Sequence, residues 1–318
     1  EFGINKGTFW SPSGKLLAFY RMDQTMVTEY PITEIGNIPA TARMIRYPMA
    51  GGKSHHVTLG VYNTETDKTI FLQTGEPAEQ YLTNVAWSPD NLSIYIAVIN
   101  REQNHLKMNR YNATTGAFEK TLFEEKNDKW VQPMHPMEFV PGHSDQFIWQ
   151  SEREGYNALY LYKTDGTLIK RLTPVTLESN GYSALVVTEL YGIDAKGTYA
   201  YIQAVPATSC DREIYSVDLK TATVKLISVS DGGVSTAKFS KDFTQYIHEY
   251  SNNVAPRLIS IEKNDGSLIG TIHSAPNPLA AYNKCEVKLS TITAADGVTS
   301  LWCRTILPAG FDSTKKYP

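Results

Sequence analysis

Phe9-Trp10-Ser11-Pro12-Ser13-Gly14-Lys15-Leu16-Leu17-Ala18-Phe19-Tyr20 reads as a strand, a tight turn and a second strand. Phe9 and Trp10 end one apolar run. Pro12 fixes φ, Gly14 supplies the conformational freedom of a reversal, and Leu16 to Tyr20 resumes a buried run. The same grammar returns at Val85-Ala86-Trp87-Ser88-Pro89-Asp90-Asn91, followed by Ile94-Tyr95-Ile96-Ala97-Val98. Weaker copies stand at Glu138-Phe139-Val140-Pro141-Gly142 with Gln146 to Trp149, at Tyr191 to Asp194 with Tyr199 to Ile202, and at Ala237 to Asp242 with Tyr246 to His248.

Each hairpin is followed by a further β-rich segment: Thr58 to Asn63, Leu106 to Tyr111, Leu159 to Tyr162, Glu213 to Val217 and Arg257 to Ile261. Successive copies lie roughly 50 residues apart, the period of four-stranded β-propeller blades and not of helical solenoids. The chain is therefore expected to be all-β, a partial β-propeller of about five blades, near 5–74, 83–124, 136–173, 188–228 and 235–272. From Trp10 to Trp87 the interval stretches to 77 residues, and the excess is an arm at 22–48.

Composition agrees. The chain has 318 residues, 42% of them hydrophobic and 19 of them tyrosine, enough for a large strand-rich core. A net charge of −3 without a basic block argues against nucleic acid as a partner. No apolar run approaches the roughly 20 residues of a membrane span. Three scattered cysteines, Cys210, Cys285 and Cys303, make neither a disulfide scaffold nor a zinc site. Cys285 and Cys303 flank a hairpin whose turn is near Ala295-Asp296-Gly297; the choice lies between a bridge across it and isolated buried thiols.

Taken in order, the arm mixes Met, Val, Tyr and Pro with few charges. That suits either a protruding hairpin which buries its tip on another subunit or an extra strand pair folded onto its own blade. His55-His56 point to opposite faces of a strand and make poor joint metal ligands. Asn100-Arg101-Glu102-Gln103-Asn104-His105 is a charged reversal whose amides serve turn backbone. Lys129-Trp130-Val131-Gln132-Pro133-Met134-His135-Pro136-Met137 connects two blades and carries large side chains to the tunnel or a rim. Ser151 to Asn157 is a charged, exposed hairpin turn, and 173–184 a surface loop. Residues 284–289 and 300–307 form a last strand pair.

Catalytic motifs are absent. There is no G-x-S-x-G elbow, phosphate loop, dinucleotide fingerprint or H-E-x-x-H helix, and no pattern singles out a triad. No catalytic residue and no metal or organic cofactor is assigned.

Several motifs together carry a resemblance: Glu1-Phe2-Gly3-Ile4, Phe9-Trp10-Ser11-Pro12, Tyr20-Arg21-Met22-Asp23, Tyr47-Pro48-Met49-Ala50-Gly51, Arg101-Glu102-Gln103-Asn104-His105 and the closing Ile306-Leu307-Pro308-Ala309-Gly310-Phe311-Asp312. Along essentially its whole length the chain resembles the dipeptidyl peptidase IV branch of the prolyl oligopeptidase family, especially its bacterial members. In that family an eight-bladed propeller caps an α/β-hydrolase domain that holds a Ser-Asp-His triad.

The resemblance implies that residues 1–283 are the later blades and that 284–318 open the hydrolase domain, with earlier blades and the catalytic core outside this sequence. It implies a serine exopeptidase that removes N-terminal X-Pro or X-Ala dipeptides, active only in the full-length parent and located in the periplasm, cell envelope or medium. Glu1 falls where the family places the second of two carboxylates that bind the free ammonium of a peptide. Trp130, Gln132, Met134 and His135 fall on a loop that lines the family's substrate pocket, although the aromatic and basic residues of some relatives are not reproduced there. The arm resembles the family's homodimerisation hairpin. A tripeptidyl peptidase and a non-catalytic binding or envelope module remain the alternatives.

Overall fold

The computed structural model describes residues 2–174, 184–206, 209–228, 232–282 and 285–317. Every regular element among them is a strand. The chain divides into two compact units, Glu1–Arg171 and Leu172–Pro318.

In the first unit, β1 (Thr8–Trp10) and β2 (Leu16–Asp23) are the opening hairpin. The chain then leaves the sheet as β3 (Glu29–Glu34) and β4 (Thr41–Arg46) before β5 (His56–Asn63) and β6 (Lys68–Phe71) complete a four-stranded meander. β3 and β4 pair only with each other, so the arm is a separate two-stranded ribbon. Its tip residues Ile35 and Ile38 are exposed.

The second meander is β7 (Gln80–Trp87), β8 (Ser93–Asn100), β9 (His105–Asn112) and β10 (Phe118–Lys126). The third is β11 (Glu138–Val140), β12 (His143–Ser151), β13 (Ala158–Lys163) and β14 (Leu168–Arg171).

The repeat has a physical signature. Ser88 Oγ bonds Asp90 and accepts from the Ser93 amide, while the Ser88 amide donates to the Ser93 carbonyl. Ser11 does the same with Ser13 and Leu16. Such side-chain-to-backbone closures satisfy the turn groups that the ladder leaves open. The first blade's turn also touches the second's: the Ser13 amide donates to Asn91 Oδ1 (2.9 Å).

Between these blades the alternating inward residues Ala18, Leu59, Val61, Leu82, Trp87, Ile94 and Ile96 form one core. At the outer edge, a Cβ on Gly116 would meet the Phe71 carbonyl oxygen at 2.3 Å, and one on Gly166 the Leu122 oxygen at 2.1 Å. The last turns of the second and third blades are thus pressed onto the backbone of the blade before each, an approach only glycine allows.

In the second unit, β15 (Leu185–Ile193), β16 (Tyr199–Pro206), β17 (Glu213–Asp218) and β18 (Val224–Leu226) form one meander. β19 (Val234–Phe239), β20 (Gln245–Ser251), β21 (Leu258–Lys263) and β22 (Leu268–Ser274) form the next. Tyr201, Ile214, Ile227 and Tyr246 pack between them. Ser240 and Asp242 repeat the Ser88–Asp90 turn. β23 (Glu286–Thr293) and β24 (Ser300–Leu307) form a separate hairpin.

Of the two readings of the cysteines, isolated thiols hold: Cys285 and Cys303 are free, and Cys303 sits opposite Ser290 in the hairpin register, well up the ladder from Cys285. One part of that reading is corrected: the thiols are not buried, for Cys210 and Cys285 are exposed and Cys303 is half-buried. Most of the expected 173–184 loop lies outside the described residues, as do Glu1 and Lys284. Among the described residues no helix is long and apolar enough to cross a membrane.

Candidate functional site

The expected pocket loop, Trp130 to His135, lies in the connection from β10 to β11, which is tied at three points. The Asn127 amide donates to the Asn104 carbonyl (3.0 Å) and the Val131 amide to the Gln103 carbonyl (2.7 Å), which anchors the loop on the 100–105 reversal. Asn100 holds that reversal by accepting from the Asn104 and His105 amides. The third tie is Asn84, buried on β7 with φ +54°, whose Nδ2 donates to the Pro133 carbonyl (3.2 Å). A register shift between Thr83 and Ala86 turns Asn84 off the ladder toward the loop.

So held, the loop buries Pro133 and exposes Trp130 (59%) and Met134 (43%); Gln132 is exposed and His135 half-buried. Trp130 and Gln132 line a cleft of about 440 Å³ together with Gln150, Ser151, Glu152 and Arg153. Met134 and His135 do not line it.

Glu1 itself lies outside the described residues, but the residues that follow it are seated against the loop. Phe2 is 4% exposed and its ring packs on Tyr81, centroids 5.3 Å apart. Phe2 also borders a smaller cavity with Gln103, Trp130, Val131 and Gln132. Gly3, at φ +67°, lies so close that a Cβ would stand 1.8 Å from the Met134 carbonyl oxygen. The structure thus brings together the segment after Glu1 and the loop from Trp130 to Met134, two stretches far apart in sequence.

Beneath the larger cleft is a cluster that the sequence did not disclose. The 151–157 turn is exposed, as expected, but the Arg153 side chain folds back. Its Nη2 donates to Glu125 Oε1 (2.6 Å), its Nε to Ser151 Oγ (3.1 Å) and its Nη1 to the Tyr162 hydroxyl. Glu125 also accepts from Trp149 Nε1 and Ser151 Oγ, both at 2.8 Å. The guanidinium lies 4.5 Å from the Tyr160 ring centroid. Burial works against the charge of Arg153, yet Glu125 and Tyr162 beside it raise its pKa above the ordinary arginine value. At the rim, a hydrogen bond from His105 Nε2 (2.6 Å) holds Glu124 below the usual carboxylate range.

A fully satisfied ion pair of this kind is a positioning element: it braces the end of β10 from which the pocket loop departs. Its signal in the sequence is faint. Alternation puts Trp149 and Ser151 on one face of β12, and an arginine two residues on can reach back beneath them.

A family model described as the dipeptidyl peptidase IV N-terminal region matches residues 1–257. Dipeptidyl peptidase 4 of Arthroderma otae is 27% identical over 335 residues, covering all of this chain and 42% of that protein. A Bacteroides ovatus crystal structure assigned to dipeptidyl aminopeptidase IV superposes with a TM-score of 0.90 at 37% identity, covering all of this chain and 46% of that one. Porphyromonas gingivalis dipeptidyl peptidase 4 superposes with a TM-score of 0.87 at 26% identity, covering 44% of that chain. The chain spans less than half the length of these relatives.

Proposed function

Because this chain belongs to the family of dipeptidyl peptidase IV N-terminal regions, we propose that it is the substrate-recognising and gating part of a serine exopeptidase that releases N-terminal X-Pro or X-Ala dipeptides. The observation that carries this reading is the seating of Phe2-Gly3 against the Trp130–Met134 loop. It supports a reading in which the stretch that opens the sequence and the exposed Trp130 serve one site, with Glu1 taken as the amine anchor by family resemblance.

A carboxylate there would accept two or three charge-assisted hydrogen bonds from a substrate ammonium, each worth about 1.5–3 kcal/mol. Fixing the amine fixes how many residues reach the scissile bond. Trp130 and Gln132, which line the cleft, then border the first residues of the peptide, Met134 and His135 stand on the same loop outside it, and Arg153 and Glu125 brace that loop. Acyl-enzyme chemistry belongs to the α/β-hydrolase domain, of which residues 284–318 are the opening strands. The arm, with exposed Tyr30, Ile35, Ile38 and Met44, is assigned to homodimer contact. The peptidase is assigned to the periplasm, envelope or medium.

The test is hydrolysis of Gly-Pro and Ala-Ala-Pro chromogenic substrates by the full-length protein, its Glu1→Gln variant and this chain alone. Expected are release from Gly-Pro by the full-length protein, a large loss in Glu1→Gln and none from the chain alone. Preference for Ala-Ala-Pro would move the protein to the tripeptidyl class. An inactive full-length protein would make it a binding module.

A further inference from the structure

A second cleft, of about 290 Å³, opens at the root of the arm, where β2 ends and β5 and β7 begin. Its walls are apolar: Ile4, Tyr20, Met22, Val57 and Leu82. Ile4 is 43% and Met22 53% exposed, so large apolar side chains stand in water around an open hollow.

Ser54, His55, Glu79, Gln80, Tyr81 and Arg101 complete the lining. Ser54 is 5% exposed, lines the cleft, and its hydroxyl has no hydrogen-bond partner among the described residues. The fully sealed side-chain polar atom without a partner among those residues is His248 Nε2, so the Ser54 hydroxyl keeps some accessible surface. Arg101 gives one N–H to the Tyr81 hydroxyl, which leaves the rest of its fork unengaged by described residues. Glu79 lines the same cleft, and no ion pair among the described residues joins it to Arg101 or to another cation. An apolar hollow edged by Arg101 and His55 on the basic side, by Glu79 on the acidic side and by the Ser54 hydroxyl is complementary to a zwitterion that has an apolar body.

We propose that this cleft binds short free peptides of apolar residues, the C-terminal carboxylate on Arg101, the ammonium on Glu79 and the side chains against Met22, Val57 and Leu82. The link to function rests on the reading above: a released dipeptide is a ligand of this class, so the cleft is an exosite for product. Tyr81 connects the two sites, since its ring lines this cleft and carries Phe2.

The experiment is calorimetric titration of Val-Pro into the full-length Glu1→Gln protein, in which the amine anchor is removed. One saturable site is expected. N-acetyl-Val-Pro and Val-Pro amide should each bind about tenfold or more weakly, the loss of one charge-assisted hydrogen bond. Arg101→Gln and Glu79→Gln should each produce the same loss, and Val57→Phe should abolish binding by filling the hollow. No binding to Glu1→Gln, or binding that neither capping nor the Arg101 and Glu79 substitutions change, overturns the proposal. Because the readout is binding of a peptide too short to be cut, it stands whether or not the hydrolysis assay succeeds.

Discussion

In Gly3→Ala the new Cβ would start 1.8 Å from the Met134 carbonyl oxygen and 2.8 Å from its carbon, backbone atoms that no side-chain rotation can clear. Real Cβ contacts begin at 3.0 Å, so Gly3 and Met134 must part by about 1.2 Å. The φ of +67° adds the left-handed penalty of about 1–2 kcal/mol. A misplacement near 1 Å in a positioning group costs on the order of 10²-fold in rate. The expected result is a fall of that size in kcat/KM for a Gly-Pro chromogenic substrate with the full-length protein, the near-ultraviolet circular dichroism unchanged. If the damage passes through Glu1, the double variant with Glu1→Gln should be no slower than Glu1→Gln alone. A kcat/KM within twofold of wild type, or losses that simply add, would refute the claim that the close approach of Gly3 to Met134 sets the anchor.

Three further outcomes test the frame. Arg153→Gln leaves Glu125, 9% exposed, without its cation and should cost about 3 kcal/mol or more by urea unfolding; Arg153→Lys should not restore it, because the forked geometry is lost. Gly166→Ala, with φ +95° and the Leu122 oxygen 2.1 Å from its Cβ, should cost about 2–3 kcal/mol, whereas Gly142→Ala, at φ +76° with open space around it, should cost only about 1 kcal/mol. Burial pushes the Glu138 carboxyl up to about 7. The unfolded chain therefore ionises first, and stability should fall as pH rises from about 4.5 to 7. Glu138→Gln should be nearly neutral at pH 4 and stabilising by about 3 kcal/mol at pH 8, read as a shift in urea midpoint.

The blades were legible because their code is local. Ser88-Pro89-Asp90-Asn91 closes its own turn through Ser88 Oγ, and Ser240 and Asp242 do the same. Such hydrogen bonds span a few residues and leave a mark that survives drift. The arm was legible as an insertion, since 77 residues separate two tryptophans of one repeat. The cysteines could not be decided from sequence because nearness to a turn says nothing about register, and Cys303 faces Ser290.

By itself, then, the sequence determined an all-β chain of repeated blades, the place of the arm, and a resemblance that singled out Glu1 and the Trp130–His135 loop. Only the tertiary structure decided that Gly3 lies against Met134, that Asn84 reaches the Pro133 carbonyl, that Arg153 turns back onto Glu125, and that Ser54, Glu79 and Arg101 share one hollow. Strand order and turn chemistry are written in neighbouring residues. These contacts join residues that the chain separates by roughly 20 to 130 positions. Their geometry arises when blades stack and loops are drawn over the gaps, and no local pattern records it.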